Sequence, residues 1–488
     1  MAKRKPSKQL PQARHKQKST PSQHDRRKRL LTKNDRRIET QVARVPLVGS
    51  IAMIVASLSK LLDSRTSFRF PIIMAGAFLA KGRRTASSWL RAAGVGDDWD
   101  RFYESIASIG RMADSVAVAL MRAIVAQLGI DLNSLIVFAI DDSPTKRYGR
   151  HVEGANIHHN PTPGPGDGEW LYGHNWVCLA WLVRHPVWGI IALPILSRLY
   201  LRQVDVDKLK GKYPLEFHTK IELAIQLSEH FVRPVRWLNP AATFLAVVDC
   251  AYATKKFLKA ARELQVTVVS RLRKNASLHD LPEPRKPGQR GRPKKYGPNK
   301  LNLKRIADDP TGWEPLTYNR RGVDTQAKSK TFLATTSISA EPIRVVMVQE
   351  EGKHWAAMFS TDPTMDIKAI LETYSSRWSI EECFHDLKEV WHAGKQQVRN
   401  LWSNIGCWQT NCWSYILTEL ECWNISSEEL VNRRDRPWDN PDRRPSHADR
   451  RRWIAGKMLR ERFFKERQNA LDEAKVQALL DELLALAA

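Results

Sequence analysis

The sequence predicts an α/β protein built on a mixed sheet, and three observations carry the prediction. Short apolar runs rich in β-branched and aromatic residues begin after residue 131. Three of them follow one another before any helical pattern intervenes. From there, strand-like runs alternate with stretches whose apolar residues recur at helical spacing.

In chain order, residues 1–37 are rich in Lys, Arg, Gln, Ser and Pro and poor in apolar residues, a composition that cannot bury a core and predicts a disordered basic arm. Residues 38–130 turn helical, as in "SIAMIVASLSKLL" and "ADSVAVALMRAIVAQL". Within them, "FPIIMAGAFLAKGRRTASSWLRAAGV" reads as a helix, a Gly-containing turn and a short helix capped near Thr85 or Ser87. Arg83 and Arg84 then stand where the second helix begins. Either this is a helix-turn-helix presenting basic residues to DNA, or it is two packed helices of a bundle.

The strand-like runs are "SLIVFAI" (134–140), "NWVCLAWLV" (175–183), "WGIIALPI" (188–195), "FLAVVD" (244–249) and "VTVVSRL" (266–272). Helices fall at "EFHTKIELAIQLSEHF" and "ATKKFLKAARELQ". The order βββαβαβ followed by a helix is the ribonuclease H-like arrangement, a mixed five-stranded sheet over residues 131–272 and 346–400. Residues 273–345 leave the alternation and contain "KTFLATTSI" and "IRVVMVQ", so they read as a mostly β insertion domain. Residues 401–488 are helical, Trp-rich first and Arg-rich later; Trp402, Trp408, Trp413 and Trp423 are expected to pack a core, with stacking on bases the alternative.

The formal net charge is +26, and it is clustered. Residues 1–37 carry 14 Lys/Arg against Asp25 and Asp35, and Arg285–Arg305 carries nine with no acid. Such clusters displace counterions from a polyanion, and nucleic acid is the expected partner. An anionic membrane surface is the rival. No apolar run approaches the roughly 18 residues a membrane span needs, and no secretory signal is apparent. The six cysteines form no C-x-x-C pair and read as reduced thiols of a cytoplasmic, nucleoid-associated protein.

The chemistry sits at strand ends and on one helix. "VFAIDDS" runs into Asp141 and Asp142, "AVVDCAY" into Asp249. In "YSSRWSIEECFHDLK", Tyr374, Arg377, Glu381 and Lys388 stand at offsets 0, 3, 7 and 14. On one continuous helix these offsets fall within an arc of roughly 60°. Crowded carboxylates repel unless cations neutralise them, and carboxylate oxygen suits two Mg²⁺ ions, for which Mn²⁺ can substitute. His151, His158, His159 and His174 lie in a Pro/Gly-rich loop without metal-ligand spacing, and are expected to be structural or DNA-facing.

On these residues the chain resembles a bacterial insertion-sequence transposase of the DDE superfamily, in the branch marked by a Y-(2)-R-(3)-E-(6)-K signature. Tyr374, Arg377, Glu381 and Lys388 match that signature at every spacing, and "AIDDSPTKRYGRHVEGANIHHNPTPGP" is similar to one subgroup's first-aspartate region. The resemblance implies a homodimer on double-stranded DNA that cuts the terminal inverted repeats of its own element and joins the 3′-OH ends to target DNA, commonly through a hairpin intermediate. It implies Asp141, Asp249 and Glu381 as metal ligands, with Asp142 competing for the first place. Arg377, Lys388 and Tyr374 would hold DNA phosphates. Trp355, 19 residues before Tyr374, would stack a base that leaves the helix, or else cover the insertion's sheet.

"QRGRPKKYG" holds Arg290-Gly291-Arg292, either an A·T minor-groove hook or a basic linker touching phosphates. Rival classes are a DNA-binding regulator, which needs no metal carboxylates, and a nuclease on the same fold without strand transfer.

Overall fold

The computed structural model describes residues 47–96, 98–160, 168–285, 290–431, 438–440 and 442–468; the expected basic arm at 1–37 lies outside them. The described residues belong to one compact unit, Val45–Ala488.

Among the described residues five helices come first: α1 (Gly49–Ser59), α2 (Ser64–Leu79), α3 (Ala86–Ala92), α4 (Trp99–Arg111) and α5 (Ala113–Leu128). Helix α2 begins earlier than its apolar run, because Asp63 caps it by accepting from the amides of Arg65 and Thr66. Pro71 therefore lies inside the helix, which continues because the flanking Phe70, Ile72 and Ile73 are buried. Thr85 caps α3, its Oγ1 accepting from the Ser88 amide at 3.1 Å. A Cβ on Gly76 would lie 2.1 Å from the Trp89 carbonyl, so α2 and α3 pack backbone to backbone. Arg84 turns inward: its Nε donates to the Ala80 carbonyl at 3.1 Å and its amide to His392 Nδ1 at 3.3 Å. Arg83 stays exposed.

The next strands are β1 (Ile136–Lys146), β2 (Asn156–His159), β3 (Trp170–His185), β4 (Gly189–Tyr200), β5 (Phe244–Val248) and β6 (Val266–Arg271). Helices α6 (Gln203–Leu209), α7 (Lys220–Leu238) and α8 (Lys255–Glu263) connect the later ones. The order is β4–β3–β1–β5–β6, antiparallel across the first three and parallel across the last three, with β2 on the edge of β3. The sheet is mixed but does not stop at five strands. The outer edge of β6 pairs antiparallel with β12 (Ala356–Ser360) through Arg271↔Met358, Ser270↔Phe359 and Val269↔Ser360. Beyond it come β11 (Ile343–Glu350) and β10 (Val323–Thr336), then β7 (Leu278–His279) and β8 (Lys300–Leu301), with β9 (Glu314–Arg320) along β10. A short helix, α9 (Leu303–Asp308), precedes β9. Strand β11 thus runs across the boundary expected at residue 345. An open β6 edge would present unpaired amides and carbonyls, which the β12 pairing satisfies.

Helix α7 covers one face, where Phe231 packs 5.2 Å from Phe138 and 5.3 Å from Trp181. The other face carries α10 (Ile367–Ser376), α11 (Trp378–Glu389) and α12 (Leu401–Cys422), with Trp408 stacked 4.7 Å from Trp176. Trp408 and Trp413 are buried core residues, while Trp402 and Trp423 are half-buried. Helix α12 also crosses α4 at two glycines: a Cβ on Gly406 would sit 1.9 Å from the Ile106 carbonyl, and one on Gly110 2.1 Å from the Trp402 carbonyl. After α13 (Ser427–Leu430), α14 (His447–Gln468) is locked onto α12 through buried Glu419, which meets His447 Nδ1 at 2.5 Å and Arg450 at 2.9 Å.

Candidate active site

Strands β1 and β5 pair in parallel from Ile136↔Phe244 to Ile140↔Val248, and the next residue of each is an aspartate. Neighbouring strands lie about 4.8 Å apart, so Asp141 and Asp249 start side by side. Alternation along β1 sends its two aspartates to opposite faces. Asp142 points to the α7 face, where Lys220 Nζ meets its Oδ2 at 2.8 Å and the Tyr252 hydroxyl donates to its Oδ1 at 2.9 Å. Asp141 points to the α11 face. There Arg377 donates through Nη1 to Asp141 Oδ2 at 2.7 Å and through Nη2 to Glu381 Oε1 at 2.6 Å. One guanidinium thus bridges two carboxylates 240 positions apart in sequence (381 − 141).

Burial pushes the Asp141 carboxyl up to about 7; Arg377 and the Asp142 amide pull it back, and the charges of Asp142 and Asp249 push it up again. Asp249 stays at the rim, its Oδ2 accepting from the Ala251 amide at 3.4 Å.

The helix expected to carry the whole stripe is two helices. Helix α10 ends at Ser376 and α11 begins at Trp378, with Arg377 as the junction between them. Ser376 Oγ bonds back to the Thr373 carbonyl at 2.6 Å, and the Arg377 amide reaches only to Tyr374 at 3.2 Å, so the ladder tightens and breaks there. Tyr374 still flanks the arginine, whose guanidinium lies 5.7 Å from its ring. Lys388, about two turns past Glu381, is half-buried and has no ion pair among the described residues; burial pulls its pKa down.

Other expected residues lie elsewhere. Trp355 is half-buried under Lys274, whose Nζ is 5.2 Å from its ring. Its neighbours His354 and Ala356, rather than Trp355, line a cavity of about 250 Å³ that opens beside Tyr374 and Arg377. Arg290 and Arg292 are exposed coil between β7 and β8. Of the loop histidines, His174 is structural. Its Nδ1 accepts from buried Arg147 at 3.1 Å, and burial followed by the Arg147 charge pulls it down to about 3. Sequence reasoning missed Lys220 and Tyr252, which decide the fate of Asp142. Tyr252 stands three residues after Asp249 in "DCAY", and Lys220 opens α7 directly after its Thr219 cap.

Among the described residues, no three His, Cys, Asp or Glu side chains are drawn together closely enough to hold a metal ion. The donor chemistry nonetheless fits a hard divalent cation, since Asp141 and Glu381 already converge on one positive group. No helix among the described residues is long and apolar enough to cross a membrane, and all six cysteines are free thiols.

A family profile described as DDE superfamily endonuclease matches residues 57–336. No curated protein matches the chain. The matched span takes in both strand-end aspartates and covers more than half of the 488 residues. The chain belongs to the DDE superfamily endonuclease family.

Proposed function

We propose that this endonuclease is an insertion-sequence transposase of the Y-R-E-K-marked branch. In this reading it cleaves the terminal inverted repeats of its own element and joins the freed 3′-OH ends to target DNA, working as a homodimer on the DNA through a hairpin intermediate. The observation that carries the reading is the Asp141–Arg377–Glu381 bridge at the end of the parallel β1–β5 pair, because it unites the strand-end acid with the spaced motif. The order β4–β3–β1–β5–β6 supports reading the core as ribonuclease H-like, with residues 273–345 inserted and residues 38–130 and 401–488 as helical flanks.

Asp141, Asp249 and Glu381 would hold two Mg²⁺ ions, which when bound supply Lewis-acid stabilisation of attacking and leaving oxygens. Asp142 has no part in that set, since Lys220 and Tyr252 hold it on the far face. The chain's own residues bind and orient the strand. Lys388 offers an uncommitted ammonium to a phosphate, and Arg377 two Nη donors once a phosphate competes for them. The Tyr374 hydroxyl adds a neutral donor, and burial holds its pKa up, so it keeps its proton. Trp355 stacks an unpaired base only if the strand reaches past the cavity to the Lys274 side.

The test uses DNA bearing the ends of the element. The wild-type protein should nick it in Mg²⁺, and Asp249→Asn and Glu381→Gln should bind but not cut. Addition of target DNA separates a transposase from a nuclease of the same family, which would release ends without joining them.

A further inference from the structure

The 250 Å³ cavity beside Tyr374 and Arg377 has a wall that comes from far along the chain. Strands β9 and β10 form a two-residue hairpin, pairing Arg320 with Val323, so that Arg321 and Gly322 make the turn. Both have positive φ, 55° and 85°, the pattern of a type I′ turn. Asn, Asp or Gly is the favoured residue at the first of these positions, and a long side chain there is strained. The tip docks on α10, where the Asn319 amide donates to Glu372 Oε1 at 2.9 Å. Arg321 then lies over Trp378, its guanidinium carbon 4.2 Å from the ring centroid, and this tryptophan remains 39% exposed.

The charges around the cavity do not balance. Its one carboxylate, Glu350, is already committed to Arg320 at 2.7 Å, to the Tyr318 hydroxyl at 2.9 Å and to Lys353. Arg271, at the end of β6, and Arg321 are exposed, with no ion pair among the described residues. Two uncommitted guanidiniums therefore face the space next to Arg377. A cavity of this size is too small for a duplex and suited to one phosphodiester unit of a single strand.

We infer that Arg271 and Arg321 form an anion cradle that holds a backbone phosphodiester of the strand lying beside Arg377. The hairpin tip thereby supplies a DNA-binding residue to the site from the same chain. This rests on the reading of the protein as acting on DNA. The strained backbone at Arg321 is the mark of that use, because asparagine would fit the turn better and could not reach a phosphate with a positive charge.

The experiment exploits that strain. Arg321→Asn places an Asn-Gly pair in a type I′ turn, so the fold keeps or gains stability while the charge is lost. Binding of a short duplex with a single-stranded extension is measured in EDTA across a range of salt, for the wild type, Arg321→Asn, Arg271→Gln and Arg321→Lys. Loss of one phosphate contact should lower the slope of log K against log salt by about 0.7–0.9 in each of the two charge-removing variants. Arg321→Lys should restore most of it. An unchanged slope in Arg321→Asn, with or without weaker binding, overturns the cradle and leaves the DNA function standing. A wild-type protein without salt-dependent DNA binding overturns the functional reading itself.

Discussion

Asp141 and Asp142 are consecutive residues of β1 with opposite surroundings: Arg377 holds the first toward Glu381, and Lys220 and Tyr252 hold the second on the far face. Substitution separates their roles. Asp141→Asn should lower Mg²⁺-dependent nicking of end DNA by more than about a hundredfold, whereas Asp142→Asn should stay within about tenfold of wild type. Asp142→Asn should instead lower stability by about 1–2 kcal/mol, since it weakens the bonds to Lys220 and Tyr252. A dead Asp142→Asn with an active Asp141→Asn would reverse the assignment of faces.

The same substitution at Asp141 has a stability signature. Its folded pKa of about 7 lies above the ordinary 3.8, so the native state keeps a proton that the unfolded chain releases between those values. Stability then falls as pH rises through this window and stays lowered above it. Asp141→Asn removes that penalty. The variant should resist urea better than wild type above about pH 7 and equally well below about pH 4. A variant less stable at high pH would mean that the Arg377 contact outweighs burial.

A second pH dependence comes from the other side of the sheet. His230 Nε2 meets Asp114 Oδ2 at 3.2 Å, and Arg198 clasps Asp114 at 2.7 and 3.0 Å. The hydrogen bond to Asp114 raises the His230 pKa above 6.5, against burial. Burial pushes Asp114 up, but His230 and Arg198 pull it down to about 2. The His230 contribution is present below 6.5 and lost as pH rises through the raised folded value. The Asp114 contribution is present above 3.8 and lost as pH falls toward 2. His230→Gln should therefore destabilise the protein near about pH 6 and much less near about pH 8. Equal losses at both would show that the histidine acts only by packing.

The α4–α12 crossing sets a steric limit. Gly406→Ala places a methyl group against the Ile106 carbonyl, and the helices must part. The expected loss is about 1–3 kcal/mol by denaturant unfolding. Gly82→Asn, at a turn where a Cβ meets nothing within 4 Å, should be close to neutral. A Gly406→Ala protein as stable as wild type would show that the crossing has slack.

Much of the frame was legible because its signals are local. The apolar runs before Asp141 and Asp249 are strands whose pairing with each other ends where the aspartates begin. Of the two caps the sequence offered, Thr85 and Ser87, it is Thr85 that caps the helix. Distant partners made the rest illegible. Nothing near Asp142 in sequence foretold Lys220, 78 residues on. The break at Arg377 depends on a serine hydroxyl bonding backward, which helical periodicity does not register. Arg84 is expected only to stand where the second helix begins, yet its amide and carbonyl are tied to His392 and Gln396 more than 300 residues later. The pairing of β6 with β12 spans the whole insertion, so no local pattern marks it.

The Asp141–Arg377–Glu381 bridge also sets a clock. At a synthesis rate of roughly 5–20 residues per second, the 132 residues from Asp249 to Glu381 (381 − 249) take roughly 7–26 s to emerge from the ribosome. For all but the last four residues of that interval a nascent chain has both strand-end aspartates but neither Arg377 nor Glu381. A chain truncated within the insertion would keep its two acids on adjoining strand ends, unbridged and repelling each other, without the third carboxylate.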